Sequence, residues 1–115
     1  MTTGLRLKFL PPPILSRNPH PDAFFAINDD TAIGILYTAN HMGFRVPEDI
    51  SICGFTNGDR AKACDPLLTT VEQSGALVGQ KAADILIGLV EGSLPMDKKV
   101  RGMVKTRLVL RGTTR

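Results

Sequence analysis

The sequence predicts an α/β fold built on a parallel sheet, and three observations carry that reading. A short apolar run, Ala23-Phe24-Phe25-Ala26-Ile27, sits between Pro21-Asp22 and Asn28-Asp29-Asp30, as a fully buried strand does. A stretch of helical periodicity follows it and stops at Gly43. A second apolar run, Ile50-Ser51-Ile52-Cys53-Gly54-Phe55, comes next. Residues 22–55 therefore read as a β-α-β unit, whose two strands are expected to be parallel and joined by a right-handed crossover.

The elements follow in order. Residues 1–20 read as an irregular leader, because Pro11-Pro12-Pro13 forbids a helix and Pro19 and Pro21 force extended neighbours. At most a helical turn fits at Ile14–Arg17. After the first strand, Asp29 or Asp30 can accept the free N–H groups of a helical first turn, and their charge favours the positive end of the helix dipole. Ala32, Ile35, Leu36, Ala39 and Met42 share one face of that helix, and Ile33 and Tyr37 make a second apolar stripe. Gly43 suits a left-handed cap. Pro47 fixes the turn before the second strand. Thr56-Asn57-Gly58-Asp59 is a loop, Arg60–Cys64 a helical turn, and Asp65–Val71 extended. A long helix covers Ser74–Glu91, with Val78, Ala82, Ile85, Leu86 and Leu89 at core spacing. Gln80, Asp84 and Glu91 mark its wet side, where Ile87 also falls. Gly92-Ser93-Leu94-Pro95 stops it. Val100–Arg111 reads as the closing strand, with Thr106, Leu108 and Leu110 alternating against Arg107, Val109 and Arg111.

Composition excludes several classes. The chain has 115 residues, 43% hydrophobic and 22% charged, which is too apolar for disorder. No apolar run reaches the length of a membrane span, and the opening residues lack a signal-peptide pattern, so a cytoplasmic protein is expected. Cys53 and Cys64 make no disulfide framework, and with His20 and His41 they complete no zinc set. No cofactor or metal is expected. The net charge of +3 is unevenly spread: residues 21–97 hold all 11 acids against four bases, and residues 98–115 hold seven bases and no acid. Basic charge at the ends suits solubilising tails and a charged edge strand better than a nucleic-acid recognition element.

In parallel sheets, ligands bind beyond the carboxyl ends of the strands. Asn28-Asp29 and Thr56-Asn57-Gly58-Asp59 fall there. Their amides, carboxylates and hydroxyls suit a small polar or polyhydroxylated molecule, and Phe24 or Phe25 could lend an aromatic face. The same residues also read as a helix cap and a turn, and spacing alone leaves both readings open. Catalysis has little support: there is no phosphate-cradling Gly-Lys-Ser/Thr, no nucleophile elbow, and Cys53 lies inside a strand. An enzyme is not expected.

Four ordered motifs carry a family resemblance. Residues 21–34, from Pro21-Asp22-Ala23 through Asn28-Asp29 to Ala32-Ile33-Gly34, resemble a "PDAIFAANDxxAxG" stretch. Residues 43–55 resemble "GxxVPxDxSVxGFD", and Pro66–Gln73 resembles "PPLTTVxQ". Gly79–Gly92 and Leu108–Thr113 are similar to the last helix and closing strand of the same family. That family is the lactose-repressor/galactose-repressor (LacI/GalR) transcription regulators. The resemblance covers residues 21–114. It implies a three-layer, parallel-sheet, periplasmic-binding-protein-like (type I) fold, C-terminal portion only. Residues 21–115 would be a partial sensor domain, the helix at residues 74–91 would belong to the other lobe, and no DNA-binding headpiece would be present.

The resemblance also implies roles. Phe25, Asn28 and Thr56 match positions that face the effector, and Gln73 matches the cleft hinge. Asn57 would share the effector contacts, and Asp29 is counted among the effector-binding residues too, chiefly as a cap and lobe strut. The family usually has Asp at the position of Thr56, so a single hydroxyl stands where a carboxylate grips sugar hydroxyls. Ile33, Tyr37, Arg60 and Cys64 match the surface through which family members dimerise. Pro11-Pro12-Pro13 departs from the family, which has a helix there. The expected function is therefore effector sensing in a LacI-type regulator, as a homodimer, with operator DNA reached only through a headpiece and no membrane contact. A transport-type sugar-binding protein, or a remnant without effector binding, are the alternatives.

Overall fold

The computed structural model describes residues 14–115. Most of the proline-rich leader, residues 1–13, lies outside them. At its end Ile14 and Leu15 are helical, Arg17 N–H donates to the Ile14 carbonyl, and Leu15 is buried.

The chain divides into two units. The first runs to Glu72 and takes up the chain again at Leu108–Arg115. It begins with β1 (Ala23–Phe25), α1 (Asp29–His41) and β2 (Ser51–Cys53). β1 and β2 pair in parallel, Ala23 with Ser51 and Phe25 with Cys53, so residues 22–55 form the expected β-α-β unit. A 3-10 turn follows at Asp59–Lys62, then β3 (Thr70–Glu72), which pairs with β4 (Arg107–Val109). Parallel bridges Cys53–Thr69 and Thr56–Glu72 connect β2 to β3. Thr113 closes the gap left by the short strands. Its hydroxyl donates to the Ile52 carbonyl at 2.6 Å and accepts from Thr69 N–H at 2.9 Å.

The core of this unit joins one face of α1 to the sheet: Ala32, Ile35, Leu36 and Ala39 pack with Ala26, Ile50, Ile52, Ala61 and Leu68. Burial of each large aliphatic side chain contributes about 1.5–3 kcal/mol. Two expectations are corrected. Met42 is more than a third exposed, because α1 ends at His41 and the chain turns at Gly43 with φ +86°. The Ala23–Ile27 run is not buried on both faces. Ala26 is buried and Phe24 half-buried, whereas Phe25 and Ile27 point outward at 69% and 81% exposure. Period-two alternation places only one face of β1 on the core.

The second unit is Gln73–Arg107. Its helix α2 (Gly75–Glu91) starts after Ser74 and ends at Gly92 with φ +81°. Ser93 Oγ and Leu94 N–H cap it by donating to the Gly88 carbonyl. The segment around Gly102 lies against Lys81 and Ile85. Within α2 only Gly88 is buried. Val78, Ala82 and Leu86, expected in a core, are exposed, since only an irregular segment around Gly102, and no regular element of this unit, lies on the helix. The closing strand is also shorter than Val100–Arg111: residues 100–106 take no regular structure and β4 begins at Arg107.

Candidate functional site

Parallel register brings the carboxyl ends of β1 and β2 side by side, so the loops at Asn28 and Thr56 emerge together. They line a pocket of about 310 Å³ with Asp29, Asp30, Gly58, Asp59 and Arg60. All of these belong to the first unit.

Asn28 is the N-cap of α1. Its extended backbone, with φ −154° and ψ 170°, lets Oδ1 accept from Thr31 N–H at 2.8 Å. This satisfies one of the free N–H groups of the first turn. The cap also fixes the side chain at the pocket wall, so capping and pocket lining coincide in one residue. Asp29 is 5% exposed and both carboxylate oxygens are engaged. Oδ1 accepts from the Thr70 hydroxyl at 2.6 Å, and Oδ2 accepts from Gly58 N–H at 2.8 Å. Asp29 thus ties α1 to β3 and to the Thr56 loop, and it leaves little acceptor capacity for a ligand. A buried carboxylate without such partners would be costly. Gly54 allows the close approach, since a methyl there would collide with Asp29 Oδ1 and come within 2.9 Å of Leu68 Cδ2.

Thr56 is exposed and lines the pocket, with φ +128°. Asn57 follows at φ +60°. Its side chain turns to protein groups: Oδ1 accepts from Arg111 Nη2 at 2.7 Å, and Nδ2 donates to the Glu72 carboxylate. Phe25 stands beside Phe55, ring centroids 6.4 Å apart and edge to face. Gln73 is exposed and is the first residue of the second unit.

The pocket holds three carboxylates and one guanidinium. Asp29 is spent internally, and Asp30 meets Arg60 at 3.3 Å across an exposed gap. What remains for a ligand is hydroxyl, amide and carboxylate chemistry, suited to a polar molecule rich in hydrogen-bonding groups. Burial, followed by the nearby Asp29 charge, pushes the Cys53 thiol above its ordinary range, which disfavours the thiolate. Among the described residues no group of three His, Cys, Asp or Glu could hold a metal ion, and no helix is long and apolar enough to cross a membrane.

On the outer side of α1, Tyr37 is 75% exposed and Ile33, one turn earlier, is half-buried against the core. Arg60 lies in the 3-10 turn beside α1 and is exposed, and Cys64 follows that turn, half-buried. The residues that sequence reasoning missed are Thr70, Glu72 and Arg111. Thr70 and Glu72 reach the site from β3 and Arg111 from just beyond β4, and no local pattern announces any of them.

Comparison with known proteins places these features in context. The periplasmic binding protein-like domain family matches residues 6–114. The HTH-type transcriptional repressor CytR of Escherichia coli (strain K12) is 38% identical over 95 residues, covering 83% of this chain and 27% of the repressor. The HTH-type transcriptional repressor PurR of Vibrio vulnificus (strain CMCP6) is 36% identical over 102 residues, covering 89% and 30%. A LacI family transcriptional regulator from Arthrobacter sp. FB24, solved in complex with lactose, superposes with a TM-score of 0.77 at 35% identity, covering 84% of this chain and 36% of that one. The chain therefore spans less than a third of the length of these two curated relatives.

Proposed function

The chain belongs to the periplasmic-binding-protein-like domain family, in the form carried by LacI/GalR regulators, and from that premise we propose that it is the C-terminal effector-sensing part of a bacterial transcription regulator. The observation that carries this reading is the polar pocket where the β1 and β2 loops meet, lined by Asn28 and Thr56. A sugar-like or other polar metabolite is the proposed effector. Asn28 and Thr56 supply its hydrogen bonds, Phe25 an apolar edge, and Gln73, at the position that matches the family's cleft hinge, a further amide contact. Asp29 and Asn57 stand behind them and hold their geometry. The lactose complex of the Arthrobacter regulator supports a polyhydroxylated ligand for this fold.

In this reading α2 belongs to one lobe and the β-α-β unit to the other, and the effector biases the equilibrium between lobe arrangements. Effector and operator affinities are then linked reciprocally. Operator contact falls to a headpiece outside these 115 residues, in a cytoplasmic, non-enzymatic protein. A homodimer forms through the outer face of α1 and the 3-10 turn, at Ile33, Tyr37, Arg60 and Cys64. Supporting this, Tyr37 presents a large exposed ring and Arg60 bridges the turn to α1 through Asp30.

A chimera tests the function. The matching C-terminal segment of the Escherichia coli CytR repressor is replaced by residues 21–114 and operator repression is followed in a reporter strain. The reading expects repression to persist and the inducing compound to change. A soluble chimera that represses but responds to no sugar or nucleoside would refute effector sensing.

A further inference from the structure

Two consecutive residues at the pocket, Thr56 and Asn57, hold positive φ angles of +128° and +60°. Residues with side chains rarely hold such angles, threonine more rarely than asparagine, and the conformation persists only where its surroundings enforce it. The enforcing contacts can be named. Thr56 N–H donates to the Val71 carbonyl at 2.9 Å, Asn57 N–H to Thr70 Oγ1 at 3.3 Å, and Gly58 N–H to Asp29 Oδ2 at 2.8 Å. Three successive amides are thus tied to two other elements.

The side chain of Asn57 adds a second restraint of a particular chemistry. It accepts from a guanidinium at one end and donates to a carboxylate at the other. A side-chain amide does both at once, with its oxygen and nitrogen facing opposite partners: aspartate would repel Glu72, and an apolar residue would do neither. Arg111 is itself held in place. Its Nη1 donates to the Leu68 carbonyl at 3.0 Å and its backbone N–H to Thr69 Oγ1 at 2.8 Å. It therefore reaches the loop from a fixed base, 54 residues away in sequence.

We propose that Arg111 is a positioning residue of the pocket: with Glu72 it clamps the Asn57 amide and so holds Thr56 in the one backbone conformation that presents it to the ligand. The inference rests on the reading of this pocket as the effector site. Its consequence is preorganisation. A loop already fixed loses little freedom on binding, and the Thr56 hydroxyl discriminates by position.

The test uses the whole chain and amide hydrogen exchange resolved by NMR, with no ligand present. In Arg111→Met, exchange at Thr56, Asn57 and Gly58 rises about tenfold or more relative to Ile52 and Ala26, whose protection tracks global stability. Asn57→Asp opens the same loop. Adding Glu72→Gln to Asn57→Asp restores protection, since the amide and carboxylate then exchange places and the hydrogen bond re-forms with its polarity reversed. Equal increases at all five amides, or an unchanged loop in Arg111→Met, would overturn the clamp. So would failure of the double variant to restore protection. Failure of the effector reading shows separately, as an absence of ligand-induced shifts at Asn28 and Thr56 in the unmodified chain.

Discussion

Replacing Asp29 by asparagine removes one charge and turns one acceptor into a donor. The amide oxygen can keep the Thr70 hydroxyl, now 2.6 Å from Oδ1. The amide nitrogen then faces Gly58 N–H, which sits 2.8 Å from Oδ2, donor against donor. A hydrogen bond to a charged group contributes about 1.5–3 kcal/mol. The carboxylate at the first turn of α1 adds about 0.3–1 kcal/mol through the helix dipole. Asp29→Asn should therefore destabilise the first unit by about 2–4 kcal/mol, a large share of the roughly 5–15 kcal/mol of a typical domain. Asp30→Asn is the matched control. Asp30 shares the first turn of α1, but its pair with Arg60 is exposed and is worth at most about 1 kcal/mol. The assay is urea unfolding followed by the fluorescence of Tyr37, the one tyrosine in a chain without tryptophan, which sits in α1 and reports that unit. At a slope of roughly 1 kcal/mol per molar urea, the Asp29 variant should lose about 2 M or more in midpoint. Equal losses in the two variants would refute the strut.

Three further outcomes are expected. Gly54→Ala pushes a methyl into Asp29 Oδ1 and Leu68 and should cost about 1–3 kcal/mol in the same assay; an unchanged midpoint would contradict the packing. Thr56→Gly relieves the positive φ and should stabilise the chain by about 1 kcal/mol, the strain released less the added freedom of the unfolded glycine, while a lower urea midpoint would count against strain there. Asp49 accepts from the Arg45 side chain and backbone, which holds its carboxyl below the ordinary value of 3.8. Its contribution to stability is thus present above the unfolded carboxylate value and is lost as pH falls through the lowered folded one. An NMR titration should place its midpoint below 3.8, and a midpoint at or above that value would contradict the pairing.

The β-α-β unit was legible because its signals are local: apolar runs bounded by polar turns, an asparagine and two aspartates at a helix start, and Gly43 at its end. The pocket was partly legible for the same reason, since strand ends in a parallel sheet dictate where Asn28 and Thr56 emerge. Asp29 illustrates the limit. Its place at a helix start is visible in the sequence, but Thr70 and Gly58 reach it only after the sheet has formed. Asn57 lies in the loop where a ligand contact is expected, yet its amide turns to Arg111 and Glu72, which no spacing rule connects. The apolar periodicity of α2 predicts burial, but periodicity marks which face seeks cover without saying what supplies it.

The most direct measurement is an NMR titration of the labelled chain with a panel of sugars and nucleosides at millimolar concentrations. The chain holds only part of the proposed cleft, so weak binding is expected, with amide shifts concentrated at Asn28, Thr56 and Gly58 and diminished by Thr56→Ala. Shifts centred on α2, or on the outer face of α1 around Tyr37, would contradict the assignment of this pocket as the effector site.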